Sequence, residues 1–214
     1  MDMDFLSVID AKKDEIIKLA DTIWDSAEIA FREYKSFEAL TSYLRENGFR
    51  IEDNIGGLPT AFIASYGSGH PEIGFIAEFD AISDLSQVAQ VPVQKKDPAR
   101  RHGHACGHHI YGGNAVAAAL AVQAYLKKTG KQGTVKVLGC PGEEGGSGKA
   151  FMARTGVFRS LDAAMGAHPE CMWAVRTRLQ SAFRSALSLA RIIYMTSACG
   201  CTTFGASPPA SVMA

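Results

Sequence analysis

The sequence predicts an α/β fold, a mainly parallel sheet flanked by helices. Three observations predict it. Short apolar segments alternate with longer segments of helical periodicity, the order that right-handed crossovers and parallel strands produce. The run Ile73-Gly74-Phe75-Ile76-Ala77 is almost wholly apolar, as in a strand buried on both faces. Twenty-one glycines supply the tight turns such a fold needs. With 214 residues, 47% of them apolar, the chain can build one large domain or a domain with an appendage.

The first element is an amphipathic helix over residues 5–29. Phe5, Val8, Ile9, Ile16, Leu19, Ala20, Ile23 and Ala27 recur at three- and four-residue steps, with Asp10, Lys12, Lys13, Asp14 and Lys18 largely on the other face. A second helix starts near Ser36, a plausible N-cap, with Phe37, Leu40 and Leu44 as its stripe and Gly48 as its stop. Strands follow at 60–66 and 73–77, the second leading straight into Glu78-Phe79-Asp80. Residues 83–101 are polar and read as a loop. An Ala-rich helix covers about 110–127, with Lys127, Lys128 and Gly130 suited to its end. A strand at 133–140 runs into Pro141-Gly142-Glu143-Glu144-Gly145-Gly146, then a helical segment at 149–155. A short strand at 163–167 ends in His168-Pro169-Glu170. Residues 179–194 allow a helix, and the end around Cys199-Gly200-Cys201 reads as a loop or disordered tail.

Lys and Arg total 22, as do Asp and Glu, so nothing in the charge selects nucleic acid or an acidic membrane. Met1 precedes Asp2 and Asp4 rather than a basic stretch and an apolar run, so no secretory leader is predicted. No apolar run approaches the roughly 20 residues that span a bilayer. Five cysteines, an odd number, fit reduced thiols and a cytoplasmic location.

The chemistry concentrates in His102-Gly103-His104-Ala105-Cys106-Gly107-His108-His109, which holds four of the six histidines. Imidazole and thiolate are common ligands of zinc-like ions. The plain alternative is a His-rich surface loop. Cys106 and His108, two apart, cannot share a helix face but can reach one centre from a glycine-rich bend. Two further strand ends carry acids: Glu78 and Asp80, then Glu143 and Glu144. Alone, either pair could be a solvated strand end. In an extended segment, Glu143 and Glu144 diverge, which suits one metal ligand and one carboxylate facing water. His168 offers another nitrogen. Strand ends of a parallel sheet lie on one edge, where ligand crevices form, so these groups could converge. Such a set suits a two-metal site that activates water for amide hydrolysis, with a Glu moving its proton. A phosphate loop over 145–150 is disfavoured: position 143 is Glu rather than Gly, and 150 is Ala rather than Ser or Thr. Cys199 and Cys201 lack a second pair and make a weak zinc motif.

His104-Ala105-Cys106-Gly107-His108, Pro141-Gly142-Glu143-Glu144-Gly145-Gly146 and Gly166-Ala167-His168-Pro169 together resemble the signatures of the dinuclear-metal aminoacylase/carboxypeptidase amidohydrolases. Within that family they resemble the cysteine-ligand branch. Gly57-Leu58-Pro59-Thr60-Ala61-Phe62 and Ala77-Glu78-Phe79-Asp80-Ala81 point to its aminobenzoyl-glutamate hydrolase and β-alanyl-dipeptidase side. The resemblance covers about residues 5–178. It implies a zinc-exopeptidase-like catalytic domain and hydrolysis of amide bonds in N-acyl amino acids or dipeptides. Cys106, His108, Glu144 and His168 would be metal ligands, Glu143 the general base and Asp80 a supporting catalytic group. His104 and His109 are expected to make local hydrogen bonds. The cofactors implied are two divalent ions, zinc, manganese or cobalt.

The resemblance also implies what is different here. Family members are about twice as long, with a lid and dimerisation domain and a last histidine ligand; this sequence has no histidine after His168. Residues 1–178 are therefore read as the N-terminal part of the catalytic domain, and 179–214 as an atypical, out-of-frame or disordered tail. The expected partner is a small amide or dipeptide substrate, with no nucleic acid or membrane. Homodimerisation belongs to the intact family, and the domain for it is missing. The chain alone is expected to be weakly active or inactive. Two alternatives stand beside that: a non-enzymatic metal-binding fragment or pseudoenzyme, and a second chain that supplies the missing half.

Overall fold

A computed structural model of the chain describes residues 6–170, 174–177 and 191–198. The helix expected over 5–29 is two helices, α1 (Ser7–Ala11) and α2 (Lys13–Ser26), separated at Lys12, whose φ of −106° and ψ of 11° leave the helical region. Helix α3 (Tyr34–Glu46) begins two residues before Ser36. Ser36 is not its N-cap. The Glu28 carboxylate reaches across and accepts hydrogen bonds from the Lys35 and Ser36 N–H groups, at 3.0 and 2.9 Å. Position Gly48, at φ +85°, ends the segment as expected.

Strand β1 (Arg50–Asp53) has no counterpart among the expected elements. It is short, polar and mostly exposed, so it carries no apolar alternation. It pairs antiparallel with β2 (Phe62–Ser68). Strand β3 (Glu72–Ala77) is followed by the long connection to α4 (His108–Thr129). Then come β4 (Gly133–Gly139), the single turn α5 (Glu143–Gly146), α6 (Gly148–Arg154) and β5 (Ala163–Glu170). Strands β6 (Ala174–Thr177) and β7 (Arg191–Ala198) complete the order β1-β2-β4-β3-β5-β7-β6. The four central strands β4, β3, β5 and β7 run parallel, while β1, β2 and β6 attach antiparallel, so the sheet is mixed. Within the span read as helical, residues 191–194 belong to β7; residues 179–190 and the tail from 199 lie outside the described residues.

Alternation along the strands divides the core. Phe62, Ala64, Phe75, Ala77, Val135 and Val137 face α2, α3 and α4, meeting Leu19, Ile23, Leu40, Leu44, Val116 and Leu120. Ala61, Ile63, Ile76, Leu138 and Ala164 face the other side, with Met152, Phe158 and Leu161. Strands covered on both faces explain the apolar runs seen in the sequence.

Candidate metal centre

Parallel strands bring their carboxyl ends to one edge, and this edge collects the charged residues. Strand β3 stops at Ala77, and the next three residues, Glu78, Phe79 and Asp80, are all buried. Strand β4 passes through Cys140 and Pro141 to Gly142, which adopts φ +64° and turns the chain into Glu143 and Glu144. Strand β5 carries His168 within it. The fourth contribution comes from the bend before α4. Gly107, at φ +79°, reverses the chain so that Cys106 lies just outside the helix and His108 begins it. A side chain at Gly107 would meet the Pro169 ring at 3.0 Å, so β5 packs tightly on the bend and brings His168 beside Cys106.

Cys106 Sγ and His168 Nε2 are 3.2 Å apart. His108, with no exposed surface, has Nδ1 2.8 Å from Asp80 Oδ1. A carboxylate only accepts, so Nδ1–H donates and Nε2 points the other way. His168 repeats the arrangement, donating Nδ1–H to the Pro169 carbonyl at 2.8 Å. Both imidazoles are thus oriented by an outer partner with Nε2 towards the same space, as in histidines that hold metal. Around His108 Nε2 stand Glu78 Oε2 at 3.2 Å, Glu144 Oε1 at 3.8 Å and Glu143 Oε2 at 3.9 Å. Even so, Nε2 is buried and makes no hydrogen bond of good geometry.

The electrostatics follow. Burial pushes the His108 imidazole down, but the hydrogen bond to Asp80, the neighbouring Cys106 and the Glu78 charge outweigh this and hold it up at about 10. The His108 and His168 partners lower the Cys106 thiol against its burial. The Cys106 contact raises His168. The anions gathered here make the place favourable for a divalent cation, whose binding would take the imidazole Nε2 atoms and the thiol without their protons.

Ligand atoms of Cys106, His108 and His168 lie within 4.8 Å of one another, and so do those of Glu78, His108 and Glu143. The donors are one sulfur, two imidazole nitrogens and carboxylate oxygens, a set that fits zinc, manganese or cobalt. Glu144 stands nearby but outside both groups; its backbone N–H donates to Asp80 Oδ2 at 2.9 Å. Asp80 therefore joins the bend and the acidic turn. Sequence reasoning gives Glu78 no role, although its signal is the same as that of Asp80, an acid at the end of a buried strand. Lys149, the lysine of the disfavoured phosphate pattern, has its ammonium on Glu78. His104 Nε2 donates to the Ile23 carbonyl at 3.0 Å, whereas the buried His109 Nδ1 has no partner among the described residues. Among the described residues, no helix is long and apolar enough to cross a membrane.

Comparison with known proteins places the chain in a family. The profile of Peptidase family M20/M25/M40 matches residues 74–187, and the chain belongs to that family. It is similar to one of the subunits of the p-aminobenzoyl-glutamate hydrolase of Escherichia coli, 45% identical over 181 residues, which cover 82% of this chain and 38% of that protein. In structure it resembles a dinuclear metal binding peptidase of the M20 family from Bacillus subtilis, with a TM-score of 0.60 and 23% identity. That match covers 76% of this chain and 45% of the other. An aminobenzoyl-glutamate utilization protein from Klebsiella pneumoniae aligns with a TM-score of 0.57 and 15% identity, covering 78% of this chain and 46% of that one. At these identities the structural likeness concerns the fold. The chain spans less than half the length of each of these relatives.

Proposed function

We propose that the chain carries the metal-binding part of an amidohydrolase site, acting on N-acyl amino acids or dipeptides of the aminobenzoyl-glutamate kind. The single observation that carries this is the buried His108 Nε2, without a hydrogen bond and ringed by a thiol and three carboxylates. The name of the Escherichia coli relative supports the substrate class. Cys106, His108, Glu144 and His168 are the proposed ligands of two divalent ions, zinc, manganese or cobalt, and Glu78 is added as a candidate. When bound, such ions supply Lewis acidity for attack on an amide carbonyl. Asp80 keeps His108 in the tautomer that offers Nε2. Glu143 is the proposed general base: its side chain is 41% exposed, against 23% for Glu144 and 6% for Glu78, so it can meet water and substrate. It takes the proton of the attacking water and delivers it to the leaving nitrogen.

The chain is metal-loaded with zinc, manganese or cobalt and given p-aminobenzoyl-glutamate, and release of the amine is measured. Weak turnover abolished by Glu143→Ala is expected. Tight metal binding with no turnover on any N-acyl amino acid or dipeptide would leave the metal-binding reading without the catalytic one. Homodimerisation is proposed as well, and the solution mass of the metal-loaded chain tests it.

A further inference from the structure

Glu33 is the N-cap residue of α3 by position, yet its side chain makes no capping bond. Glu28 caps that helix instead. The Glu33 carboxylate turns inward and has no exposed surface. Its Oε1 accepts hydrogen bonds from the Phe31 N–H at 2.9 Å and the Gly142 N–H at 2.8 Å, and its Oε2 accepts from the Thr60 hydroxyl at 3.0 Å. Gly142 is the residue immediately before Glu143. The direction of its N–H sets how the chain enters the acidic turn. Phe31 itself is held at φ +62°, a conformation uncommon for a bulky residue. Its ring fills the concave side of the turn: a Cβ at Gly142 or Gly146 would lie 2.7 or 2.0 Å from ring carbons. The same short segment grips the other acidic strand end. The Glu28 carbonyl accepts from the Ala81 N–H at 2.7 Å, one residue beyond Asp80.

We propose that Glu33 is a positioning residue of the metal centre, whose carboxylate fixes the Gly142 turn and so aims Glu143 and Glu144. The inference rests on the metal-centre reading above. Packing alone does not call for a carboxylate here, since burying one is costly unless its oxygens are used. Burial raises the Glu33 pKa, against the three donors that favour the ionised form. Three donors reach its two oxygens, so acceptor oxygens at this reach are what the turn requires. A glutamine keeps the length and the acceptor towards Phe31 and Gly142; an aspartate keeps the charge but falls short of Gly142.

Cobalt(II) titration of the full chain, followed by thiolate-to-cobalt absorption, tests this. Glu33→Ala is expected to weaken cobalt binding by about ten-fold or more while the thiolate band persists at saturation, because Cys106 is untouched. In a Glu144→Ala background, Glu33→Ala should add no further loss, since both act through one ligand. Glu33→Gln should stay within about two-fold of wild type and Glu33→Asp should fall with the alanine variant. If Glu33→Ala fails to fold, the Gln and Asp pair decides alone. Additive losses in the double variant, unchanged affinity in Glu33→Ala, or an Asp variant that binds while the Gln variant does not, each overturns the proposal. A wild-type chain that binds no cobalt overturns the metal-centre reading itself, and the role of Glu33 with it.

Discussion

The face of the sheet under α2, α3 and α4 is filled by Leu19, Ile23, Leu40, Leu44, Phe62, Phe75, Val116 and Leu120, all apolar. Just past the carboxyl ends of the strands, buried polar and charged side chains gather: Glu78 and Asp80 beyond β3, His104 and His108 at the bend that opens α4, and Glu33 ahead of α3. Strand β3 shows the change within five residues: Phe75 packs under α4, and Asp80 holds His108. The first region is stabilised by removing apolar surface from water, which is non-directional and tolerates exchange of shapes. The second depends on particular partners for its charged groups, and among the described residues His108 Nε2, facing the carboxylates, is one of the buried ring nitrogens left without a hydrogen bond. The contrast separates what holds the chain together from the groups proposed to bind metal.

Substitutions can break or sharpen that contrast. The largest effect is expected from Glu143→Gln, which should reduce turnover of the metal-loaded protein by about 10²–10⁴-fold. Calorimetric metal titration should show affinity near wild type, and a comparable loss of affinity would move Glu143 from base to ligand. Next is Leu40→Ala on the apolar face, expected to cost about 2–5 kcal/mol in urea unfolding. Its folded fraction should bind metal normally; weakened binding there would mean the two regions are coupled. Asp80→Ala should lower metal affinity by about 10–100-fold, through loss of His108 orientation and of the Glu144 N–H acceptor. Here the unfolding midpoint measured with metal present should fall more than that measured without it.

The smallest effect concerns an exposed pair at the other end of the sheet. His70 Nδ1 and Asp162 Oδ2 are 2.7 Å apart, which raises the His70 pKa and lowers that of Asp162. A raised histidine contributes stability that is complete below its unfolded pKa and lost as pH rises through the folded value. A lowered aspartate contributes stability above its unfolded pKa, lost as pH falls through the folded one. The pair should therefore help between roughly pH 4 and 6.5, set by the reference values of the two groups. Unfolding of His70→Gln against wild type should differ slightly in that window, and the difference should fade in high salt.

How legible each region is in the sequence follows from the same physics. Apolar periodicity reveals α2, α3, α4, β2, β3, β4 and β5, because burial leaves a regular trace. It misses β1, whose Arg50-Ile51-Glu52-Asp53 is a mostly exposed edge, and the break at Lys12, which keeps the periodicity on both sides. It also misses the direction of β2, since pairing with β4 rather than β3 is decided by the whole sheet. At the candidate site, Cys106, His108 and His168 stand out by residue type and by motif. Glu33 does not. Its partners lie at positions 60 and 142, and neither spacing nor composition marks such a three-way contact. Glu78 shows the other limit: its acid is visible, but its contact with Lys149 and its approach to His108 need three dimensions.

The central claim is that this edge holds metal through Cys106 together with imidazole and carboxylate donors. X-ray absorption on the zinc-loaded chain tests it most directly. The prediction is a shell containing one sulfur at about 2.3 Å with nitrogen and oxygen at about 2.0–2.2 Å. The sulfur contribution should vanish in Cys106→Ser. A chain that takes up no zinc, or a sulfur signal that survives Cys106→Ser, would contradict it.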